Sequence, residues 1–159
     1  MDKNTIDVMF SSKTDLWATP QDFYDRLHAE FNFELDPCSN GENAKCARHF
    51  TEADDGLAQD WSQYRTFMNP PYGKPMPDWI KKAYEESQKG ATVVALIPAR
   101  TDTRYWHDYV MKASEIRLVK GRLKFGDGSN SAPFPSAVIV FKPGDHTPQL
   151  SVMNAKEAK

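Results

Sequence analysis

Residues 92–97, Thr-Val-Val-Ala-Leu-Ile, constrain the fold more than any other segment, because they are apolar on both faces that a strand presents. A strand with one face in water alternates apolar and polar residues, whereas a strand of a covered parallel sheet is apolar throughout. The segment therefore predicts a central parallel strand. Strand-like and helix-like runs alternate on either side of it, which favours an α/β domain of three layers, with a mostly parallel central sheet flanked by helices.

Apolar periodicity and turn residues predict the other elements. Thr19 and Pro20 indicate a helix start, with Thr19 as the N-cap and Pro20 at the first helical position. Further helices are expected at 43–48, 78–88 and 103–112, and further strands at 33–36, 49–51, 66–68, 116–119 and 137–141. Residues 121–136 are expected to form a long, partly irregular connection.

The 159 residues, of which 40% are hydrophobic, suffice for one domain with a buried core. We expect a polar segment at 1–14, a single domain at 15–143 and a tail at 144–159. No apolar stretch approaches the roughly 20 residues of a membrane span. The N-terminus lacks the apolar region of a secretory signal, the two cysteines are too few for a disulfide framework, and the histidines lack metal-ligand spacing. We therefore expect a cytoplasmic protein without a metal.

The net charge of −2 conceals an uneven distribution along the chain. Residues 1–73 hold 6 Lys and Arg against 13 Asp and Glu, whereas residues 74–124 hold 11 against 6. The positive segment is typical of a surface that contacts a polyanion. The alternative is a set of ordinary solvated lysines.

The tetrapeptide Asn69-Pro70-Pro71-Tyr72 directly follows the predicted strand 66–68. Two prolines stiffen the chain and remove two N–H donors, so the carbonyls of Asn69 and Pro70 have no strand ladder to join. An amide side chain and a free carbonyl can together accept two hydrogen bonds from one exocyclic amino group. Tyr72 adds a flat face on which a base can stack. A Pro-Pro turn beside a packed tyrosine is the alternative, but the position after a strand favours a site.

With these residues, the chain resembles the small phage-type DNA N6-adenine methyltransferases, which depend on S-adenosylmethionine. The resemblance extends from Asp15 to about Pro143, through segments 15–20, 35–39, 56–57 with Trp61, 69–73, 97–103, 121–125 and 132–134. It implies a Rossmann-like methyltransferase fold. It also implies methyl transfer to the N6 amino group of adenine in DNA, by direct displacement on a flipped base. The implied catalytic residues are Asn69, Pro70, Pro71 and Tyr72.

The resemblance further implies a cofactor site. The turn after Asp36 resembles the loop that holds the amino-acid part of S-adenosylmethionine, with an Asx-type turn as the alternative. The segment around Trp17 resembles one that closes over the methionine part. The implied cofactor-binding residues are Trp17, Thr19, Pro20, Asp36, Pro37, Cys38, Ser39, Asp55, Gly56 and Leu57. The sequence leaves open which acid, among Glu52, Asp54, Asp55 and Asp60, binds the ribose hydroxyls or the adenine amino group.

Pro37-Cys38 also resembles the Pro-Cys nucleophile of cytosine C5 methyltransferases. Carbon methylation needs such a covalent step, whereas nitrogen methylation does not. Because Cys38 lies at the implied cofactor position, we interpret it as a packing or cofactor-lining residue.

Five residues of the positive segment are the predicted DNA contacts: Arg100, Arg104, Lys120, Arg122 and Lys124. Lys and Arg contact phosphates whatever the base sequence, although the alternation at 121–125 also fits a half-exposed strand. The interval from Cys38 to Asn69 is too short for a separate DNA-reading domain. We therefore expect recognition by surface loops, with 121–136 the best candidate, or by a homodimer or a partner protein.

Two other functions fit the same tetrapeptide. Enzymes that methylate a glutamine amide in proteins also carry it, because that amide is planar too. A relative that only binds DNA could retain the fold. The positive segment favours nucleic acid over protein as the substrate, and intact Asn69 and Tyr72 argue against the loss of catalysis.

Overall fold

The computed structural model describes residues 17–126 and 130–156. Three α-helices are described, α1 (Gln21–Phe31), α2 (Met76–Gln88) and α3 (Arg104–Asp108), with 3-10 turns at Gly56–Ala58 and Val110–Lys112. The strands are β1 (Leu35–Asp36), β2 (Arg48–His49), β3 (Arg65–Met68), β4 (Thr92–Pro98), β5 (Glu115–Lys120), β6 (Lys124–Phe125), β7 (Asn130–Ser131), β8 (Ser136–Phe141) and β9 (Gln149–Asn154).

Seven strands form one sheet in the order β2-β1-β3-β4-β8-β5-β9. β8 runs antiparallel to its neighbours β4 and β5, and the other neighbouring pairs are parallel. The predicted strand at 92–97 is therefore central, as expected, and its pairing is parallel to β3 but antiparallel to β8. The expectation of a mostly parallel sheet in an α/β domain is confirmed.

Helices α1 and α2 cover opposite faces of this sheet. The ring of Tyr24 on α1 lies 5.1 Å from that of Phe67 on β3, and the ring of Tyr84 on α2 lies 6.5 Å from that of Phe141 on β8. The register aligns Phe67 with Val94 of β4, and it aligns Phe141 with Val93 of the same strand. Successive strand residues point to opposite faces, so the fold has three layers, as predicted.

Two predictions of local structure before β3 are wrong. Thr19 is not a helix N-cap, because Pro20 takes that position without a side-chain bond and the Thr19 hydroxyl instead accepts a hydrogen bond from Asn69. Residues 43–48 do not form a helix but a series of bends that ends in β2. The Asp36 carboxylate accepts a bond from the main-chain N–H of Lys45, which holds this segment against β1.

The predicted tail at 144–159 is wrong as well. Residues of β9 pair in parallel with β5 at the end of the sheet, from Glu115 with Gln149 to Lys120 with Asn154. The sheet therefore continues past the predicted domain end at residue 143. The connection 121–136 is more ordered than predicted, since β6 and β7 within it pair as a small hairpin.

No helix in the described part of the chain is long and apolar enough to cross a membrane. The same residues contain no group of three or more His, Cys, Asp or Glu that could hold a metal ion.

Candidate active site

Two neighbouring parallel strands bring the predicted catalytic and cofactor segments together. Asp36 ends β1, and Asn69 follows the last residue of β3. The register pairs Leu35 with Thr66, so both strands end at the same edge of the sheet. Ligands of open α/β sheets bind at this edge. The structure therefore places Asp36 and Asn69 on one cavity, as expected from their positions after strands.

The side chain of Asn69 is held by three hydrogen bonds. Its Nδ2 donates to the main-chain carbonyl of Trp17 at 2.8 Å and to Oγ1 of Thr19 at 2.9 Å. Its Oδ1 accepts from the hydroxyl of Tyr72 at 3.0 Å. A carbonyl oxygen can only accept, so the contact with Trp17 decides which end of the amide carries the nitrogen. Oδ1 therefore faces away from these two acceptors and retains one lone pair beside the bond from Tyr72.

The main-chain carbonyls of the tetrapeptide differ in their partners. The Asn69 carbonyl lies past the strand ladder, as expected, and accepts a hydrogen bond from the Cys38 thiol at 3.2 Å. Among the residues that the structure describes, none donates a hydrogen bond to the carbonyl of Pro70. The Pro70 carbonyl and the second lone pair of Asn69 Oδ1 are thus the acceptors left for a substrate.

Burial raises the pKa of the Cys38 thiol well above its usual range, and the nearby Asp36 carboxylate raises it further. The thiol therefore stays protonated at neutral pH, which makes it a poor nucleophile. Cys38 lines the cavity, in keeping with its interpretation as a lining residue rather than an attacking group.

Three rings form an aromatic cluster with Tyr72, which is 5% exposed. The ring of Tyr72 lies 5.8 Å from Trp17, 5.4 Å from Phe134 and 6.3 Å from Phe125. The predicted stacking face is thus covered in this structure. Sequence reasoning did not assign Phe125 and Phe134 to the site. Their signal was present, since both lie in segments that carry the family resemblance.

Asp36 is 4% exposed and its carboxylate faces main-chain donors. Oδ2 accepts from the N–H of Lys45 at 2.9 Å, and Oδ1 accepts from that of Cys38 at 3.3 Å. Burial outweighs these bonds and raises the pKa of Asp36. The carboxyl lines a small cavity of about 30 Å³ together with Trp17 and Asn69. Lys45, which also lines it, carried no signal in the sequence.

A larger cavity of about 760 Å³ adjoins this one, with Cys38 and Pro71 contributing to both. Its other lining residues are Pro37, Ser39, Asn40, Thr51, Glu52, Ala53, Asp55, Gly56, Pro75 and Trp79. A β-carbon on Gly56 would lie 2.2 Å from the Pro37 carbonyl oxygen, so only glycine lets the 3-10 turn approach the loop after β1 this closely.

The four acidic candidates for cofactor binding fall into two pairs, according to what each carboxylate contacts. The Asp54 carboxylate accepts from the N–H and the hydroxyl of Thr51 at 2.9 and 3.0 Å. The Asp60 carboxylate accepts from the N–H of Ser62 at 2.8 Å. Both therefore stabilise local turns, whereas Glu52 and Asp55 line the larger cavity.

The two adjoining cavities suit the chemistry of S-adenosylmethionine. The larger one falls within the roughly 300–1,000 Å³ of small-molecule sites, with an apolar wall at Trp79 and carboxylates for hydroxyl or amino groups. The smaller one has room for about one water molecule and presents the Asp36 carboxyl. Two implied cofactor residues are not brought here. Pro20 lines a different groove, and Leu57 packs against the core.

The predicted DNA contacts are all exposed, and three of the five cluster. Lys120, Arg122 and Lys124 line two adjoining grooves, and Lys156, which sequence reasoning missed, lines both. The N–H of Gly126 donates to the carbonyl of Ala18 at 3.0 Å, which joins the β6-β7 hairpin to the segment over Asn69.

The other two predicted contacts lie away from these grooves. The guanidinium of Arg100 lies 6.0 Å from the ring centre of Phe134, at the rim of the aromatic cluster. Arg104 begins α3.

Comparison with known proteins shows the family of this chain. The family model for DNA N-6-adenine-methyltransferase (Dam) matches residues 8–158. The chain belongs to the Dam family. Dam-family membership confirms the predicted activity of a DNA adenine-N6 methyltransferase and its cofactor, S-adenosylmethionine.

Two curated phage proteins are among the relatives of this Dam-family chain. It is 29% identical over 140 residues to the DNA N-6-adenine-methyltransferase of Haemophilus phage HP1, covering 83% of this chain and 81% of that protein. It is 27% identical over 111 residues to the DNA N-6-adenine-methyltransferase of Escherichia phage T1, covering 69% and 46%. A solved Listeria monocytogenes protein described as a class I S-adenosylmethionine-dependent methyltransferase aligns with 9% identity and a TM-score of 0.47, over 83% of this chain and 53% of that one.

Proposed function

We propose that the loop Asn69-Pro70-Pro71-Tyr72 activates the N6 amino group of adenine in this DNA methyltransferase. An amino group conjugated to a ring is a poor nucleophile, because its lone pair is delocalised. Oδ1 of Asn69 and the carbonyl of Pro70 accept hydrogen bonds from its two N–H groups. This favours a more tetrahedral nitrogen with an available lone pair. The same acceptors stabilise the positive charge that develops on this nitrogen.

The methyl transfer needs no nucleophile from the protein. When bound, S-adenosylmethionine supplies an electrophilic methyl group on a sulfonium, and its C–S bond breaks as the new N–C bond forms. The methylated nitrogen then carries two hydrogens and a positive charge, and it releases one of these hydrogens to water as a proton while the Asn69 and Pro70 oxygens remain hydrogen-bond acceptors. The contribution of the chain is therefore orientation and electrostatic stabilisation.

The cofactor is proposed to occupy the larger cavity, with its amino-acid end directed at the smaller one. Asp36 binds the ammonium of its amino-acid part, near Trp17 and Cys38. Glu52 or Asp55 binds the ribose hydroxyls or the adenine amino group, and Gly56 and Trp79 border the adenine ring. The support for this placement is that both cavities open around Cys38, within reach of the Asn69 loop.

The target base is proposed to flip out of the DNA and stack on Tyr72. Trp17 lies against the Tyr72 ring at an interplanar angle of 38°, so adenine can reach that face only when the indole moves aside. Trp17 is half-buried, whereas Tyr72 is buried, which makes the indole the ring that can leave.

The grooves around Lys120, Arg122, Lys124 and Lys156 are proposed to hold the DNA backbone. Their position supports this, because β6 carries both Lys124 and Phe125 of the aromatic cluster. Since DNA and S-adenosylmethionine meet in the cytoplasm of a bacterial host, we propose that the chain acts there.

A homodimer is proposed to enlarge the DNA-reading surface, with β9 as its interface. β9 is the outermost strand, and Leu150 and Val152 are 65% and 66% exposed. Edge strands usually carry charges or proline that prevent pairing, but β9 has neither. A second copy can extend the sheet at this edge. Analytical ultracentrifugation of the protein and of Leu150→Lys tests this, and a monomeric wild-type protein would contradict it.

One assay tests the proposed reaction and its alternatives. Purified protein is incubated with methyl-labelled S-adenosylmethionine and with DNA, protein substrate or neither. We expect label in N6-methyladenine. Label in glutamine would favour the protein methyltransferase, and label nowhere would favour a DNA-binding relative. Asn69→Ala should abolish transfer while S-adenosylmethionine still binds in calorimetry, and unchanged transfer would remove Asn69 from the mechanism.

A further inference from the structure

The segment that precedes α1 contacts the predicted catalytic amide directly. Oγ1 of Thr19 accepts a hydrogen bond from Nδ2 of Asn69 at 2.9 Å, across 50 residues of sequence. Thr19 is 4% exposed, so water does not compete freely for this bond. Its hydroxyl does not cap α1, although it directly precedes the N-cap residue Pro20. The hydroxyl is therefore used for Asn69 and not for the helix.

This contact is one of three that orient the Asn69 amide. A side-chain amide rotated by 180° exchanges its oxygen and its NH₂ group, and only the oxygen can accept a hydrogen from the target amine. The carbonyl of Trp17 and the hydroxyl of Thr19 both accept from Nδ2, so together they engage both amide hydrogens. On the other side, Tyr72 donates to Oδ1.

Only one of the two acceptors can be removed by substituting a residue. The Trp17 acceptor is a main-chain carbonyl, which every residue supplies. The Thr19 acceptor is a side-chain oxygen, so it depends on the residue type at this position. Threonine and serine supply it, whereas valine has the same shape without it.

We propose that Thr19 is a positioning residue for catalysis, which together with the Trp17 carbonyl holds the Asn69 amide with Oδ1 toward the target amino group. The inference rests on the proposed role of Asn69, and it adds to Thr19 a function other than cofactor binding. Without the Thr19 oxygen, one hydrogen of Nδ2 is left unpaired in a buried site, and the amide is held by two hydrogen bonds instead of three. Misplacement of a reacting group by about 1 Å can cost roughly 100-fold in rate.

The test compares Thr19→Val with Thr19→Ser. We expect Thr19→Val to lower kcat by about 10- to 100-fold at saturating S-adenosylmethionine and DNA, and Thr19→Ser to restore most of the rate. Calorimetry measures S-adenosylmethionine affinity for each variant without turnover, and thermal unfolding shows that each is folded. If Thr19→Val does not fold, Thr19→Ala replaces it with the same expected loss.

Three results would overturn the inference. The first is a Thr19→Val enzyme with wild-type kcat. The second is a loss that saturating S-adenosylmethionine removes, which would make Thr19 a cofactor ligand only. The third is a Thr19→Ser enzyme as slow as Thr19→Val. A wild-type protein that methylates no DNA would instead contradict the proposed function, so the two failures are distinguishable.

Discussion

The hydroxyl of Tyr72 donates a hydrogen bond to Oδ1 of Asn69 at 3.0 Å, inside the tetrapeptide that carries both residues. The stiff Pro-Pro link between them fixes this geometry. Burial raises the pKa of Tyr72 far above its usual range, so the phenol remains a donor throughout the neutral range. Tyr72 therefore has a polar role in addition to the stacking role expected from its ring.

We predict that Tyr72→Phe keeps DNA methylation but slows it. The variant retains the ring and its contacts with Trp17 and Phe134, and loses one neutral hydrogen bond, worth about 0.5–1.5 kcal/mol. The expected fall in kcat is about 2- to 10-fold, measured by label transfer to DNA. Tyr72→Ala also removes the buried ring and should lower the free energy of unfolding by about 3–5 kcal/mol. A Tyr72→Phe enzyme without activity would mean that the hydroxyl is essential.

Gly56→Ala should weaken cofactor binding. The added β-carbon would lie 2.2 Å from the Pro37 carbonyl oxygen and 3.0 Å from Trp79, so the lining of the larger cavity must shift. Such overpacking costs about 1–3 kcal/mol, and we expect lower S-adenosylmethionine affinity in calorimetry. The matched control is Ala58→Ser, an exposed position in the same turn. Equal affinities in both variants would remove this turn from the cofactor site.

The sequence suffices to predict the order of the central elements, because apolar strands and amphipathic helices are local patterns. Strand β9 was missed for a physical reason. Its residues Leu150 and Val152 are exposed and it has no buried face to impose a regular apolar pattern. Its pairing with β5 is a long-range interaction that no local pattern reports.

In the site, too, features that depend on local sequence could be predicted, and contacts between distant residues could not. Asn69 and Asp36 could be predicted, because each follows a strand in a recognisable segment. The bond from Asn69 to Thr19 could not, since it joins positions 50 residues apart. The burial of Tyr72 likewise depends on Phe125 and Phe134, which are distant from it in the sequence but contact it in the fold.

Cofactor affinity should fall on acidification over a pH range above that of an ordinary aspartate. Burial raises the pKa of Asp36, so this carboxyl takes up a proton at higher pH than usual and then loses its attraction for an ammonium group. We expect S-adenosylmethionine affinity, measured by calorimetry, to decline as the pH is lowered through that raised pKa. Asp36→Asn should bind more weakly at high pH but with a flatter pH profile. Identical profiles for the two proteins would show that Asp36 does not cause this pH dependence.

Lys120→Gln and Lys124→Gln should each weaken DNA binding about equally for all sequences, because phosphate contacts carry no base information. Each lost contact should reduce the slope of log affinity against log salt concentration by about 0.9. Fluorescence anisotropy with duplex DNA at several salt concentrations measures this slope. Lys81→Gln, an exposed lysine on α2 outside both grooves, is the control and should leave the slope unchanged. If Lys81→Gln reduces the slope as much as the other two variants, the basic grooves are not where DNA binds.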